Sequence, residues 1–446
     1  MAPALDNYRY RELEFAKDGS LVDPAQVQAV GRLAGEVSDL LVISHGWNNN
    51  IEQARGLYGR LAESFDAVRA AGCEPRLAAR NLGIVGVLWP SKRFENRDLI
   101  AGGAAGLHGG DPTLAADLLA SSDAFAGAAA ARILAEAAQL APDLDRSPAA
   151  QRRYADLLRS LVGQDGGEPS DAGEILFRLD GAELMRRLDE PPPEELPPPD
   201  GIGGGVRAGG GGGGIQRVAA GTGGGLAGLP FGLPGTALSK GRALLNYLTY
   251  YVMKARAGAI GQSALAAVLS EQVLGRTRLH LAGHSFGARL VTAAGHALPV
   301  SDSLRSVSLL QGAFSQFAFA KDWKPGSDGA YRGLLTTPGL LNGPMIITHT
   351  RHDTAVGLAY AIASQIAGQN AAAVGDAASP YGGLGGNGAQ LTPQTLHERL
   401  GDVDAEYRFE VARAHNLLAD DYVADHGDVS GRQVAHAVLQ AVGATA

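Results

Sequence analysis

The chain has 446 residues, is 45% hydrophobic and 19% charged, and carries a formal net charge of −8. That is enough chain for one large domain or two to three smaller ones, and it offers no basic stripe to neutralise a phosphate backbone, so no nucleic-acid partner is expected. The single cysteine, Cys73, excludes an internal disulfide framework, and its loop-like setting holds no histidine to activate the thiol.

No apolar core follows the first residues, so no signal peptide is expected. Residues 218–239 carry no charge, but glycines, Pro230 and Pro234 interrupt them, which argues against a transmembrane helix. A cytoplasmic location is the expectation, with export by a signal-independent route left open.

Residues 8–15 alternate as a strand does, and Asp18-Gly19 marks a turn. Asp23-Pro24 reads as the N-cap and first residue of a helix running to about residue 37. Leu40-Leu41-Val42-Ile43 is a wholly apolar run, the pattern of a strand buried on both faces. It ends in the polar loop Ser44-His45-Gly46-Trp47-Asn48-Asn49-Asn50. A helix over 51–71 and a second buried strand over 82–89, closed by Pro90, follow. This strand–helix–strand rhythm with short loops predicts an α/β fold with a mostly parallel sheet flanked by helices.

The rhythm stops near Ser91. Residues 91–240 read as a helical insertion, with helix starts at Asp111-Pro112, Asp123 and Ser147-Pro148 and an amphipathic piece over 171–188. Proline clusters at Pro191-Pro192-Pro193 and Pro197-Pro198-Pro199 end it. Residues 201–225 are mostly glycine and hold much of the excess in a chain with 62 glycines, where about 7% is usual. Such a stretch cannot pack a core, so a disordered linker over about 190–225 is expected. The glycines at 209–214 satisfy G-x-G-x-x-G, but no strand precedes them and no helix starts on them, so a dinucleotide loop is not inferred. Apolar residues 218–238 read either as a mobile lid over a hydrophobic pocket or as an unstructured linker.

The core rhythm resumes near Lys240. Helices are expected over 247–257 and 264–274. Arg278-Leu279-His280-Leu281-Ala282 is a strand entering Gly283-His284-Ser285-Phe286-Gly287, and a helix-like run follows at once. Strands are expected over 306–310 and 345–348, a helix over 355–368, a glycine-rich loop over 375–388, a last strand over 407–411 and a final helix over 430–442.

The pentapeptide at 283–287 is the G-x-S-x-G nucleophile elbow in its required strand–turn–helix context. Gly283 and Gly287 sit where side chains would collide with the strand and helix, and His284 and Phe286 flank the serine. Ser285 is the candidate nucleophile, inert near neutral pH unless a base takes its proton during attack. With this elbow and the strand–helix alternation, the sequence resembles the α/β-hydrolase superfamily, in its serine esterase and lipase branch. The resemblance covers about residues 8–91 and 240–446, in a core read as 1–90 and 241–446, with 91–240 where such hydrolases often carry a cap or lid. Tyr250-Tyr251-Val252-Met253-Lys254-Ala255-Arg256-Ala257-Gly258 also looks like poorly characterised microbial members.

The family order is Ser, then Asp or Glu, then His. On that order Asp353, shortly after the 345–348 strand, is the candidate acid; its plainer role is the N-cap of the helix that follows. His426, between the last strand and the last helix, is the candidate base, and His415 is its rival. The resemblance implies an oxyanion hole of backbone N–H groups: Phe286 after the nucleophile and Trp47 in the His45-Gly46-Trp47 loop. Asn48 is a candidate to orient that loop.

His349-Thr350-Arg351-His352-Asp353 can also be read as a metal cluster, but no complementary group accompanies it, so no metal and no cofactor is expected. The expected activity is hydrolysis of a small-molecule or lipid ester through an acyl-enzyme. A thioesterase, peptidase or acyltransferase would use the same triad, and a non-catalytic binding protein could keep the fold without the chemistry.

Overall fold

The computed structural model describes residues 3–91, 114–125, 129–162, 173–188, 237–301, 303–353, 355–356 and 381–445. Eight parallel strands form a single sheet: β1 (Arg9–Glu14), β2 (Asp39–Ser44), β3 (Leu82–Leu88), β4 (Arg278–His284), β5 (Leu304–Leu310), β6 (Met345–His349), β7 (Thr395–Arg399) and β8 (Ala414–Leu418). They lie in the order β1-β3-β2-β4-β5-β6-β8-β7. The chain thus builds outward from β2 toward β1, then returns to the other side of β2 to add β4. That reversal between β2 and β4 is the switch point at which open α/β sheets form a crevice beyond the strand ends.

Helices cover both faces, as the apolar strands require. Leu40 and Val42 of β2 enter one hydrophobic cluster, and Leu41 and Ile43 enter the other, following the two-residue period of a strand. Helix α1 (Ala25–Ala34) lies on the first face, and α2 (Ile51–Ala70) lies on the second. Asn50 caps α2 by accepting from the Gln53 N–H, and the Gln53 side chain accepts from the Asn50 N–H in return.

The described part of the insertion is helical: α3 (Leu114–Ala120), α4 (Ala130–Leu140), α5 (Pro148–Ser160), α6 (Gly173–Arg178) and α7 (Gly181–Arg187). Ser147 caps α5 at the Ala150 N–H, 3.2 Å away, with Pro148 opening the helix. Asp123 starts no helix; it lies in a short 3-10 turn, and α4 begins at Ala130. The amphipathic piece over 171–188 is two helices, because the Asp180 side chain caps a second start at Ala182 and Glu183. Leu118, Leu134, Leu158 and Leu184 share one hydrophobic cluster with Leu244 and Leu248 of α8 (Ala237–Ala259). Asp111-Pro112, the proline clusters, the 201–225 glycines and residues 218–236 lie outside the described residues.

Three further expectations change. The helices over 247–257 and 264–274 are not separate: α8 continues through a π-helical segment, Ile260–Leu265, into Ala266–Val268. There Gly261 packs so closely on the backbone of α9 (Phe286–Ala297) that a β-carbon would strike the Leu290 carbonyl. Residues 407–411 are not a strand. Tyr407 is held by side chains instead, its N–H on Gln440 and its hydroxyl accepting from the Gly401 N–H, and Ala412 turns at φ 54°. The last strands are β7 and β8. The polar His415 and Asn416 hide β8 in the sequence, yet both are satisfied within the fold. Helix α10 (Arg432–Gly443) closes the second face. Of the helix expected over 355–368, only Ala355 and Val356 are described, and both are helical. Among the described residues no helix is long and apolar enough to cross a membrane.

Candidate active site

Four loops meet beyond the carboxyl ends of the strands at the switch point. They leave β2 at His45, β4 at Ser285, β6 at Thr350 and β8 at Ala419. Each strand end is locked in parallel register, Ser44 against Gly283 and His349 against Leu418, so the loops start at fixed heights.

Ser285 stands between β4 and α9 with φ 58° and ψ −122°, a conformation that costs a residue with a side chain about 1–3 kcal/mol. The surroundings hold it there. Its N–H donates to Leu310 O at 3.1 Å, and its carbonyl accepts from Ala288 and Ala313 at 3.1 and 3.2 Å. A β-carbon on Gly283 would strike the Gly287 backbone, and one on Gly287 would strike the Ser44 and His45 carbonyls. These two glycines let strand, turn and helix pack against the β2 loop.

Asp353 and His426 come together from 73 residues apart, with His426 Nδ1 at 2.9 Å from Asp353 Oδ2. Asp353 Oδ1 accepts from the Val356 N–H at 2.9 Å, so this carboxylate is a helix cap and a histidine partner at once. Gly385 makes room for it: a β-carbon there would lie 2.6 Å from Oδ2. A carboxylate only accepts, so Nδ1 carries a proton, and in the neutral ring Nε2 is the nitrogen with the free lone pair. That Nε2 is buried and has no hydrogen-bond partner; in particular, Ser285 Oγ does not bond it in this state. Ser285, Asp353 and His426 are 3%, 2% and 4% exposed. His415 is excluded as the base: it lies within β8, its Nδ1 on Glu398 at 2.8 Å and its Nε2 accepting from the Glu410 N–H.

The β2 loop is built around His45. Gly86 leaves room for the Tyr58 ring, whose hydroxyl donates to Val87 O and accepts from the His45 N–H. The His45 ring stacks on Trp89 and accepts from the Trp89 N–H at Nε2, so its Nδ1–H donates to Gly46 O. Burial pushes His45 down to about 4 and keeps it neutral. Asn48 turns the loop through φ 62°, while the Asn49 side chain holds it, donating to the carbonyls of Gly46 and Trp47. Trp47 packs on Phe286 and on the edge of Tyr250. The Phe286 N–H opens α9 and so has no intrahelical acceptor. The Trp47 N–H makes no hydrogen bond among the described residues.

Two contributors were not legible in the sequence. Asp420 fastens the β6 loop to the β8 loop: it accepts from Thr350 Oγ1 at 2.9 Å, the Arg351 N–H at 3.0 Å and Arg351 Nε at 2.6 Å. These bonds, against the opposing cost of burial, hold its carboxyl below the usual range. His284 donates from Nε2 to His426 O at 2.8 Å. The pair His349 and His352 does not converge, for His352 is exposed while His349 Nδ1 is buried.

A second polar network lies at the opposite ends of the strands. Ser306 Oγ meets His280 Nδ1 at 2.8 Å, His280 Nε2 meets Asp39 at 3.0 Å, and Arg80 pairs with Asp39. All three of Ser306, His280 and Asp39 are buried, and Arg80 also holds the Val442 and Thr445 carbonyls, so the network ties β2, β4 and β5 to the end of α10.

Comparison of the chain with protein-family models, with curated proteins and with solved structures gave no match.

Proposed function

We propose that the chain is a serine hydrolase of carboxylic esters, with an α/β-hydrolase fold of the esterase and lipase branch. The observation that carries this reading is the buried Asp353–His426 hydrogen bond at 2.9 Å beside a strained Ser285 on a strand–helix turn. Asp353 holds the imidazole as the Nδ1–H tautomer and stabilises the imidazolium that forms. His426 Nε2 takes the Ser285 proton as Oγ attacks the ester carbonyl, then gives it to the leaving alcohol. Water, deprotonated by the same nitrogen, attacks the acyl-enzyme; the bond to Ser285 Oγ breaks, Oγ takes the proton back from His426, and the acid is released. The Ser285–His426 hydrogen bond forms with substrate in place, as catalytic contacts commonly tighten in the Michaelis complex.

The N–H groups of Phe286 and Trp47 are the proposed oxyanion donors, each contributing about 3 kcal/mol at the transition state. Trp47, Tyr250 and Phe286 form an aromatic cluster beside Ser285, which suits an apolar acyl chain. The lid reading of residues 218–238 falls almost wholly outside the described residues.

The test is a short-chain p-nitrophenyl ester together with a fluorophosphonate probe. Wild type turns over the ester and takes the label. Ser285→Ala does neither. Equal labelling of the two proteins would refute the assignment.

A further inference from the structure

His284 flanks the nucleophile and has no part in the chemistry above, yet it bonds to the loop that carries the proposed base. Its Nε2 lies 2.8 Å from the carbonyl oxygen of His426. A carbonyl only accepts, so Nε2 carries the proton and Nδ1 is a bare lone pair. That Nδ1 is buried without a hydrogen-bond partner and faces Gly46, where a β-carbon would sit 3.2 Å from it. The His284 and His426 rings are 4.8 Å apart and tilted by 44°. One side chain therefore touches the base loop and the β2 loop, from the residue that precedes Ser285.

We propose that His284 is a positioning residue: it fastens the His426 backbone to the elbow and so sets the separation of base and nucleophile. The inference rests on the serine-hydrolase reading of the same site. Two things must be fixed for His426 to face Ser285. Asp353 fixes the orientation of the ring. The backbone needs its own anchor, and the nearest bonds to other elements on either side are at Val423 O, from Thr350 Oγ1, and at Ser430 O, from Ser64 Oγ. Between Ala424 and Val429 the other hydrogen bonds run from Ala424 to Asp428, from Gly427 to Asp425, from Asp428 to Asp425 and from Val429 to Gly427. Among the described residues, the His284 bond is the one from this stretch of backbone to another element.

The anchor also has to stay uncharged, because an imidazolium forms on His426 during turnover. Burial is the main reason His284 is pushed down to about 3; repulsion from His426 when that ring is charged adds to it, and the hydrogen bond to the His426 carbonyl opposes it. His284 thus keeps one proton on one nitrogen across the working range, and it never opposes the neighbouring imidazolium.

Two substitutions separate anchoring from mere packing. His284→Gln places an amide donor near the Nε2 position, whereas His284→Phe fills the space without a donor. With p-nitrophenyl butyrate, His284→Gln keeps kcat within about fivefold of wild type. His284→Phe loses about 10²-fold in kcat with KM nearly unchanged, the size of effect that a misplacement of about 1 Å produces. Equal kcat in the two variants overturns the proposal while leaving Ser285 as nucleophile. If wild type turns over no ester and takes no fluorophosphonate, the hydrolase reading fails. Anchoring is then read without activity, by hydrogen exchange: residues 424–429 exchange faster in His284→Phe than in His284→Gln, and equal exchange overturns it. Should His284→Phe fail to fold, nitrogen NMR of the wild-type histidines decides. His284 protonated at Nε2 from about pH 5 to about pH 8 supports the anchor, and protonation at Nδ1 overturns it.

Discussion

The α-carbon of Gly46 packs against Ser285 so closely that a β-carbon on Gly46 would lie 2.6 Å from the Ser285 β-carbon and 3.1 Å from its Oγ. Real β-carbons do not approach that near, and the Ser285 backbone is pinned on both sides, so the side chain or the β2 loop has to give. Gly46→Ala is therefore expected to lower kcat by about 10²-fold, the order of effect of a 1 Å displacement at a reacting centre. Circular dichroism should show a folded protein. Wild-type turnover in a folded Gly46→Ala protein would mean that the loop yields at no cost.

The strain at Ser285 gives a second expectation. Glycine adopts φ 58° and ψ −122° without the penalty that a side chain incurs, whereas alanine does not. Ser285→Gly should raise unfolding free energy by about 1 kcal/mol over Ser285→Ala, within the 1–3 kcal/mol assigned to such conformations. Both variants lose turnover. Urea unfolding midpoints of the two proteins test this, and equal midpoints would show that the turn stores no strain.

Asp353→Asn separates the two duties of that side chain. The Asn Oδ1 still caps the Val356 N–H, so the thermal midpoint should stay within a few degrees of wild type. The amide cannot hold His426 as the Nδ1–H tautomer, and kcat should fall by about 10⁴-fold. A variant that melts normally and still turns over ester at the wild-type rate would remove Asp353 from the triad.

Asp420 acts at a distance. Its side chain is 6% exposed, whereas that of its partner Arg351 is 56% exposed, so the bonds to Thr350 Oγ1 and the Arg351 N–H matter more than the ion pair. Asp420→Ala leaves the Arg351 N–H without its acceptor and Thr350 Oγ1 with the Val423 carbonyl at 3.5 Å, a cost of about 1–3 kcal/mol. It should lower stability and kcat together, with KM little changed. Asp420→Asn, which keeps an acceptor oxygen, should restore most of both. If Asp420→Asn is no better than Asp420→Ala, charge and not hydrogen bonding holds the loops together.

Buried neutral histidines make the fold acid-sensitive. His45 is pushed down to about 4 and His284 to about 3, in both cases mainly by burial. Between about pH 6.5 and those values the unfolded chain binds more protons than the folded one. Their stabilisation is complete above about pH 6.5 and is lost as pH falls, with a slope of at most about 1.4 kcal/mol per pH unit for each. Asp39, held low by Arg80 and His280 against burial, and Asp420 add losses only below about pH 4. Urea titrations at several pH values should show this decline, and His284→Gln should flatten it. An identical slope in the variant would show that His284 is not the group that titrates.

The linear chain determined what short-range pattern controls. Apolar runs such as Leu40–Ile43 are buried on both faces because no other strand type tolerates them, and Gly283 and Gly287 mark the elbow because only glycine fits a turn so tight. Ser285 and Asp353 stood out because each follows an expected strand that the structure keeps; His426 was chosen by the resemblance's residue order after an expected strand at 407–411 that the structure replaces with β8. Where polarity hid the pattern, the reading failed. Residues 407–411 look more strand-like than Ala414–Leu418, yet the latter form β8, because the fold brings Glu398, Glu410 and Ala389 to meet the demands of His415 and Asn416. Tertiary structure alone decided that the Asp353–His426 contact closes, which side chain holds the His426 backbone, and that Asp420 joins the two loops. Those contacts span 73, 142 and 69 residues of chain, and no local propensity encodes them. They exist because β6 and β8 are paired neighbours and a parallel sheet puts the ends of β4, β6 and β8 on one edge.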